Sequence, residues 1–188
     1  MSLINVIGFD PSMNNWGIAA GKYDTETRKL TISHLDVINA VLPTGKQVRQ
    51  NSKDIECAKQ LYAGAVAVLQ DAHAIFVEVP VGSQSARAMA SYGICCGILG
   101  GLRASGIPFY EMTPTEVKLI ATGSKTATKQ QMIQWGVNAH PEAPWPTYKR
   151  GGQDVISEAK AEHMADAIGA IYAGIASNQF QQTIQFMR

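Results

Sequence analysis

Four residues of this 188-residue chain have the types and positions to do chemistry together: Asp10, Glu78, His163 and Asp166. Asp10 closes the apolar run "NVIGFD", and Glu78 closes a second one, "AIFVE". An Asp before a proline also suits a plain turn, since Asp bonds to its own backbone and Pro fixes φ. His163 and Asp166 stand three apart in "EHMADAIGAI", on one helical face with Ile168 and Ile171 nearby. If the two apolar runs are adjacent parallel strands and that face covers the sheet, all four side chains converge. Three carboxylates brought together in a half-buried place repel one another and lose hydration. A divalent cation removes both penalties, and an oxygen-rich ligand set suits Mg²⁺ or Mn²⁺. Two such ions about 4 Å apart activate a water and stabilise the leaving oxygen in phosphodiester cleavage. His163 is expected as a ligand or as a proton carrier near that water, with a non-ligand core or surface histidine as the plain alternative.

The elements that must position these groups follow from the hydrophobic pattern. Residues 3–10, 16–23 and 28–38 read as strands, the last two joined by the polar "YDTETRK". Residues 40–53 read as a long polar loop. Ile55, Ala58, Leu61, Tyr62, Ala65 and Leu69 then recur at helical spacing. "AIFVEVP" over 74–80 and "IPFYEM" over 107–112 are two further strands, separated by a helix over 84–104. In that helix Ala86, Ala90, Gly93, Gly97 and Gly101 form a ridge. Each helical glycine costs about 1 kcal/mol, so close packing is expected to offset it, within the monomer in preference to a subunit interface. Thr113 and Pro114, with Glu116 behind them, open one helix. A second runs over 126–137, a loop rich in Pro and Gly fills 139–154, and a long helix occupies 157–176. The expected fold is α/β: a mixed five-stranded sheet, strands 1–3 antiparallel and strands 4–5 parallel, with helices on both faces. One domain over 1–176 is expected, followed by a polar tail over 177–188.

Composition narrows the class. Hydrophobic residues make up 46% of the chain, enough for a sizeable core. No apolar stretch is long enough for a membrane span, and the start does not read as a secretory signal, so a cytoplasmic protein is expected. Cys57, Cys95 and Cys96 read as buried thiols of a reducing compartment. Net charge is only +1, but Lys118, Lys125, Lys129, Lys149 and Arg150 fall in a stretch whose one acid is Glu142. That local excess marks a phosphate-facing surface or else a solvated face.

These residues carry a resemblance. "IGFDPSMNNWGIA" resembles the opening motif of the RuvC-type Holliday junction resolvases of the RNase H-like superfamily. "FVEVP" is similar to that family's second acidic strand, and "EHMADAIGAI" to its C-terminal helix bearing HxxD or DxxD. "PTEVKLIATGSKTATKQQMIQWG" resembles the segment between them. Lys118 and Lys129 match its two basic residues tied to DNA binding and catalysis. The resemblance spans residues 3–175 with motif order kept. It implies an RNase H-like fold, a homodimer, two Mg²⁺ or Mn²⁺ ions per site held by Asp10, Glu78, His163 and Asp166, and paired nicks across a four-way DNA junction. Lys125, Lys149 and Arg150 join the two lysines as expected DNA contacts, and no small-molecule substrate or membrane is implied. Compactness and divergence suggest a bacteriophage-type member. Ser12 departs from the family's glycine. Val81 stands where the family often has an aromatic wedge; Trp145 or Tyr148 in the proline-rich loop could substitute, but a packed loop anchor is the preferred reading of these aromatics. Alternatives are an RNA-processing nuclease of the YqgF type, against which the Lys118–Lys129 spacing argues, and a branched-DNA binding module without catalysis. An actin-like ATPase or sugar kinase is a further one, but it needs a second lobe for which the chain has no room.

Overall fold

In the computed structural model, residues 3–45, 47–82 and 84–186 are described. Three strands come first: β1 (Leu3–Asp10), β2 (Trp16–Asp24) and β3 (Leu30–Ile38). Helix α1 (Gln50–Ala67), strand β4 (Ala74–Glu78), helix α2 (Ala86–Ala104) and strand β5 (Tyr110–Met112) follow. The sheet order is β3-β2-β1-β4-β5, with β1 to β3 antiparallel and β4 and β5 parallel to β1. The expected five-stranded mixed sheet is therefore present.

Side chains alternate across each strand and build two cores. Ile7, Phe9, Ile75 and Val77 face α1 and α2, against Leu61, Cys95 and Leu102. Ile4, Val6 and Phe76 face the opposite side, where helices α3 (Pro114–Thr122), α4 (Lys129–Ala139) and α5 (Glu158–Ala176) pack. Asp10 and Glu78 share the parity of Val6 and Phe76. Both carboxylates are thus directed to the α5 side by the same alternation that fills the core.

Helix α5 lies unusually close to the sheet, and two glycines permit it. A Cβ on Gly8 would overlap the Ala167 carbonyl, and one on Gly17 would overlap the His163 carbonyl. Gly17 is the register partner of Asp10. The backbone of α5 therefore rests on the strand position opposite Asp10, and His163 is set beside that carboxylate.

Three expectations change. The 139–154 segment contains a strand, β6 (Thr147–Arg150), paired antiparallel with β7 (Gln153–Ile156). Its turn residues Gly151 and Gly152 have φ of 58° and 82°, the backbone a tight hairpin requires. The tail forms helix α6 (Asn178–Phe186), which buries Phe180 and Ile184 one turn apart, with Phe180 edge-on to Phe76 at 5.0 Å. Finally, the glycine ridge of α2 does not pack within the monomer. Among the described residues, a Cβ at Gly93, Gly97 or Gly100 meets no atom within 4 Å, and of these helix glycines only Gly101 approaches a neighbour, Tyr62 at 3.4 Å.

The Gly17 contact gives a direct test. Gly17→Ala forces α5 away from β2. Overpacking of this kind costs about 1–3 kcal/mol, more than the roughly 0.4–1 kcal/mol gained by stiffening the unfolded chain. The denaturant midpoint is expected to fall with an unchanged slope; an equal or higher midpoint would show that α5 does not need this approach.

Candidate active site

Strands β1 and β4 pair in parallel with Phe9 opposite Val77, so the next residues, Asp10 and Glu78, end the two strands side by side. From above, α5 brings His163 and Asp166. His163 Nδ1 donates to Asp10 Oδ2 at 2.6 Å, with the two side chains only 19% and 14% exposed. Asp166 is half-buried, and its Oδ1 is enclosed with no hydrogen-bond partner among the described residues. The four expected residues thus come to one end of the sheet.

Their ionisation reports the crowding. Burial, then the charges of Asp10 and Asp166, push Glu78 up to about 9. Burial, Asp10 and Glu162 push Asp166 up to about 7. Burial alone would lower His163, yet the hydrogen bond and charge of Asp10, with Glu162 and Asp166 behind them, outweigh it and raise the imidazole. Lys118, half-buried on α3, opposes the rise at both Glu78 and Asp166. This is the cost a cation would remove. Among the described residues no group of three His, Cys, Asp or Glu is already arranged around a common metal position. Instead His163 and Asp10 close on each other. The donor chemistry and the orphaned Asp166 oxygen fit a hard divalent cation.

The two lysines eleven residues apart both reach this end of the sheet. Helix α3 is started by a capping box in which Thr113 Oγ1 accepts from Glu116 N and the Glu116 carboxylate accepts from Thr113 N. Lys118 lies a turn further on. Helix α4 starts in the same way at Thr128 with Gln131, which makes Lys129 its first residue. Lys129 Nζ sits 2.7 and 2.9 Å from the two carboxylate oxygens of Glu162, the residue before His163. That contact raises the lysine further, helped by the charges of Asp166 and Asp10. Glu162 is not among the site residues expected from the sequence. Its pairing with Lys129, 33 residues away, has no local signal.

The other basic residues are not in this cluster. Lys125 is exposed between α3 and α4. Lys149 is paired with Asp154 across the β6–β7 hairpin at 2.9 Å, and Arg150 is exposed beside it. Of the two aromatic candidates, Trp145 is a packed anchor: its Nε1 donates to the His140 carbonyl at 2.9 Å and its ring lies against Gly136. Tyr148 is 46% exposed, and Val81 is exposed too.

No family model matches the sequence, and no curated protein matches it. Solved structures do. A structure of Thermus thermophilus RuvC aligns with a TM-score of 0.64 at 20% identity, covering 97% of each chain. A second, T. thermophilus RuvC in complex with a Holliday junction substrate, aligns at 0.62 and 19% identity, covering 90% of this chain and 93% of that one. This chain has the RuvC fold. The likeness in fold extends over nearly the whole length compared, and in this chain the sheet order is β3-β2-β1-β4-β5.

The raised carboxyls predict how stability varies with pH in metal-free protein. A group whose folded pKa lies above its unfolded value binds more protons in the fold, so stability is full at low pH and falls as pH rises. The loss should run from the ordinary carboxylate range through about 7 for Asp166 and about 9 for Glu78. In EDTA, melting temperature is expected to decline between roughly pH 5 and pH 9, and Glu78→Gln should flatten the upper part of that decline. A melting temperature that climbs over this range would contradict the arrangement.

Proposed function

We propose that this chain is a metal-dependent, structure-selective DNA endonuclease that resolves four-way junctions. The observation that carries the reading is the meeting of Asp10, Glu78, His163 and Asp166 at one sheet end, flanked by Lys118 and Lys129, on the RuvC fold. One of the similar structures is RuvC with a Holliday junction substrate. The cofactor we infer is Mg²⁺ or Mn²⁺, two ions held by Asp10, Glu78, Asp166 and His163. When bound, these ions lower the pKa of the attacking water and stabilise the leaving oxygen.

The chain's own residues supply the rest. Asp10 holds the His163 ring by its Nδ1 proton, fixing its orientation. The second imidazole nitrogen is then available to a ligand or to the proton of a water. Lys118 and Lys129 are the groups we assign to the phosphates on either side of the cut bond, where a fixed positive charge favours the extra negative charge of the transition state. Lys129 must first leave Glu162.

A four-way junction presents two equivalent strands, and we propose a homodimer to cut both. The supporting feature is the outer face of α2, where Met89, Ala90, Gly93, Gly97 and Gly100 are exposed without a charged residue among them. Close helix contact across a two-fold axis would explain glycines that serve no packing purpose in one chain.

Synthetic four-way, three-way and linear DNA, incubated with Mg²⁺ or with EDTA, test the activity. Symmetric nicking of the four-way substrate only with metal is expected. Asp10→Asn should abolish nicking while binding in EDTA persists, because affinity rests on basic residues. Binding by the wild-type protein without cleavage under any divalent metal would favour a non-catalytic module. For the dimer, sedimentation should give twice the chain mass. Gly97→Arg should reduce it to one chain without unfolding the protein; a dimer indifferent to that substitution would place the contact elsewhere.

A further inference from the structure

The hairpin β6–β7 has the least support of any element. Its residues are exposed or half-buried throughout, and a two-stranded ribbon alone is marginal in water. The segment before it is firmly held. His140 is buried between Glu142 at 2.9 Å and the Tyr172 hydroxyl at 3.0 Å, and Trp145 is locked to its carbonyl. At the base of the ribbon Ser157 N donates to the Pro146 carbonyl at 2.8 Å, and α5 starts at once. The ribbon is therefore a projecting arm rooted rigidly on the helix that carries His163 and Asp166.

The two faces of this arm differ. Register pairs Tyr148 with Val155, Lys149 with Asp154 and Arg150 with Gln153. Alternation puts Tyr148 and Arg150 on one face and Lys149 on the other. Asp154 neutralises Lys149. No side-chain hydrogen bond or ion pair joins the Arg150 guanidinium to any described residue, and Tyr148 is 46% exposed with no aromatic or hydroxyl partner among the described residues. One face thus offers an open aromatic ring beside an uncompensated guanidinium. Both groups stack on nucleobases, and the guanidinium also binds phosphate.

We propose that this face of the arm is a second nucleic-acid contact, in which Tyr148 stacks on a base unpaired near the branch and Arg150 holds the adjoining phosphate. The inference rests on the nuclease reading above and adds a site to it. Position supports the occupant. From Ser157 to His163 is six residues of helix, about 9 Å along the axis. Tyr148 and Arg150 stand two and four residues beyond Pro146, which is held to Ser157, so their face lies outward of that 9 Å, several nucleotides of about 3.4 Å from the cleavage centre. Bases are paired and stacked in an intact duplex and can stack on a side chain only where pairing is broken, as at a branch. The arm therefore contributes selectively to branched DNA.

The test uses full-length protein in EDTA, with four-way and linear DNA carrying 2-aminopurine at each of the first several nucleotides from the cleaved bond. Stacking on Tyr148 should quench the fluorophore at one position of the four-way DNA. Tyr148→Ala should remove the quenching and weaken four-way binding by about 5- to 150-fold, the range for losing one base stack. Tyr148→Phe should preserve both. Arg150→Ala should lower the slope of log affinity against log salt by about 0.9, and Lys149→Ala should change it less because that charge is already paired. Unchanged binding and fluorescence in Tyr148→Ala would overturn the proposal. So would a loss that Phe does not restore, or a Tyr148→Ala protein that binds DNA normally but changes oligomeric mass. If the wild-type protein binds no branched DNA at all, it is the nuclease reading that fails.

Discussion

The approach of α5 to the first two strands governs the rest of the molecule. Gly8 and Gly17 are bare because the helix backbone occupies the space their side chains would take. That single docking seals one of the two cores, with Ile168 and Ile171 fully buried over the sheet. It also fixes the height of His163 over Asp10. A larger residue at either glycine would separate structure from chemistry at the same point, since the helix face that closes the core and the helix face that meets Asp10 are continuous.

The acidic cluster illustrates how such a site opposes stability. Asp166 and Glu78 are pushed far from ordinary carboxylate behaviour, chiefly by burial and then by the charge of Asp10. Lys118 offsets this only in part. The apolar core must carry that unfavourable term, and it is placed to do so: Phe9 and Val77, the residues just before the two acids, are completely buried. Each acid is held at the end of a strand that has little freedom to move it away.

Much of this was legible in the residues themselves. A carboxylate closing an all-apolar strand is conspicuous, and HxxD spacing puts two donors on one helix face, so the meeting of these four residues at one sheet end could be read from pattern. The α3 start at Thr113-Pro114 with Glu116 was equally explicit, because capping is local chemistry. What could not be read were pairings that depend on tertiary placement. The Lys129–Glu162 contact joins two helices. The α2 glycines have a spacing that announces close packing but does not say against what, and in this chain they face outwards. The β6–β7 hairpin was hidden by Pro144, Pro146 and a lack of apolar alternation, although the Gly151-Gly152 pair is itself a hairpin signal. The α6 turn was masked by four glutamines, whose polarity conceals the Phe180–Ile184 spacing beneath.

The Lys129–Glu162 pair has a consequence for how charge is counted. A lysine already neutralised by a carboxylate of its own chain holds little of the ionic atmosphere that a bare lysine would add to. A phosphate arriving there exchanges one anion for another, and the pair it breaks is worth only about 0.2–1 kcal/mol. The net gain is small and so is the penalty for releasing the phosphate again. In the reading proposed above, Lys129 would therefore be a reversible phosphate contact, while Lys118, which has no ion pair among the described residues, stays in the field of the acids. The net charge of +1 therefore understates how the cationic surface is organised: its charges differ in whether they are already spoken for.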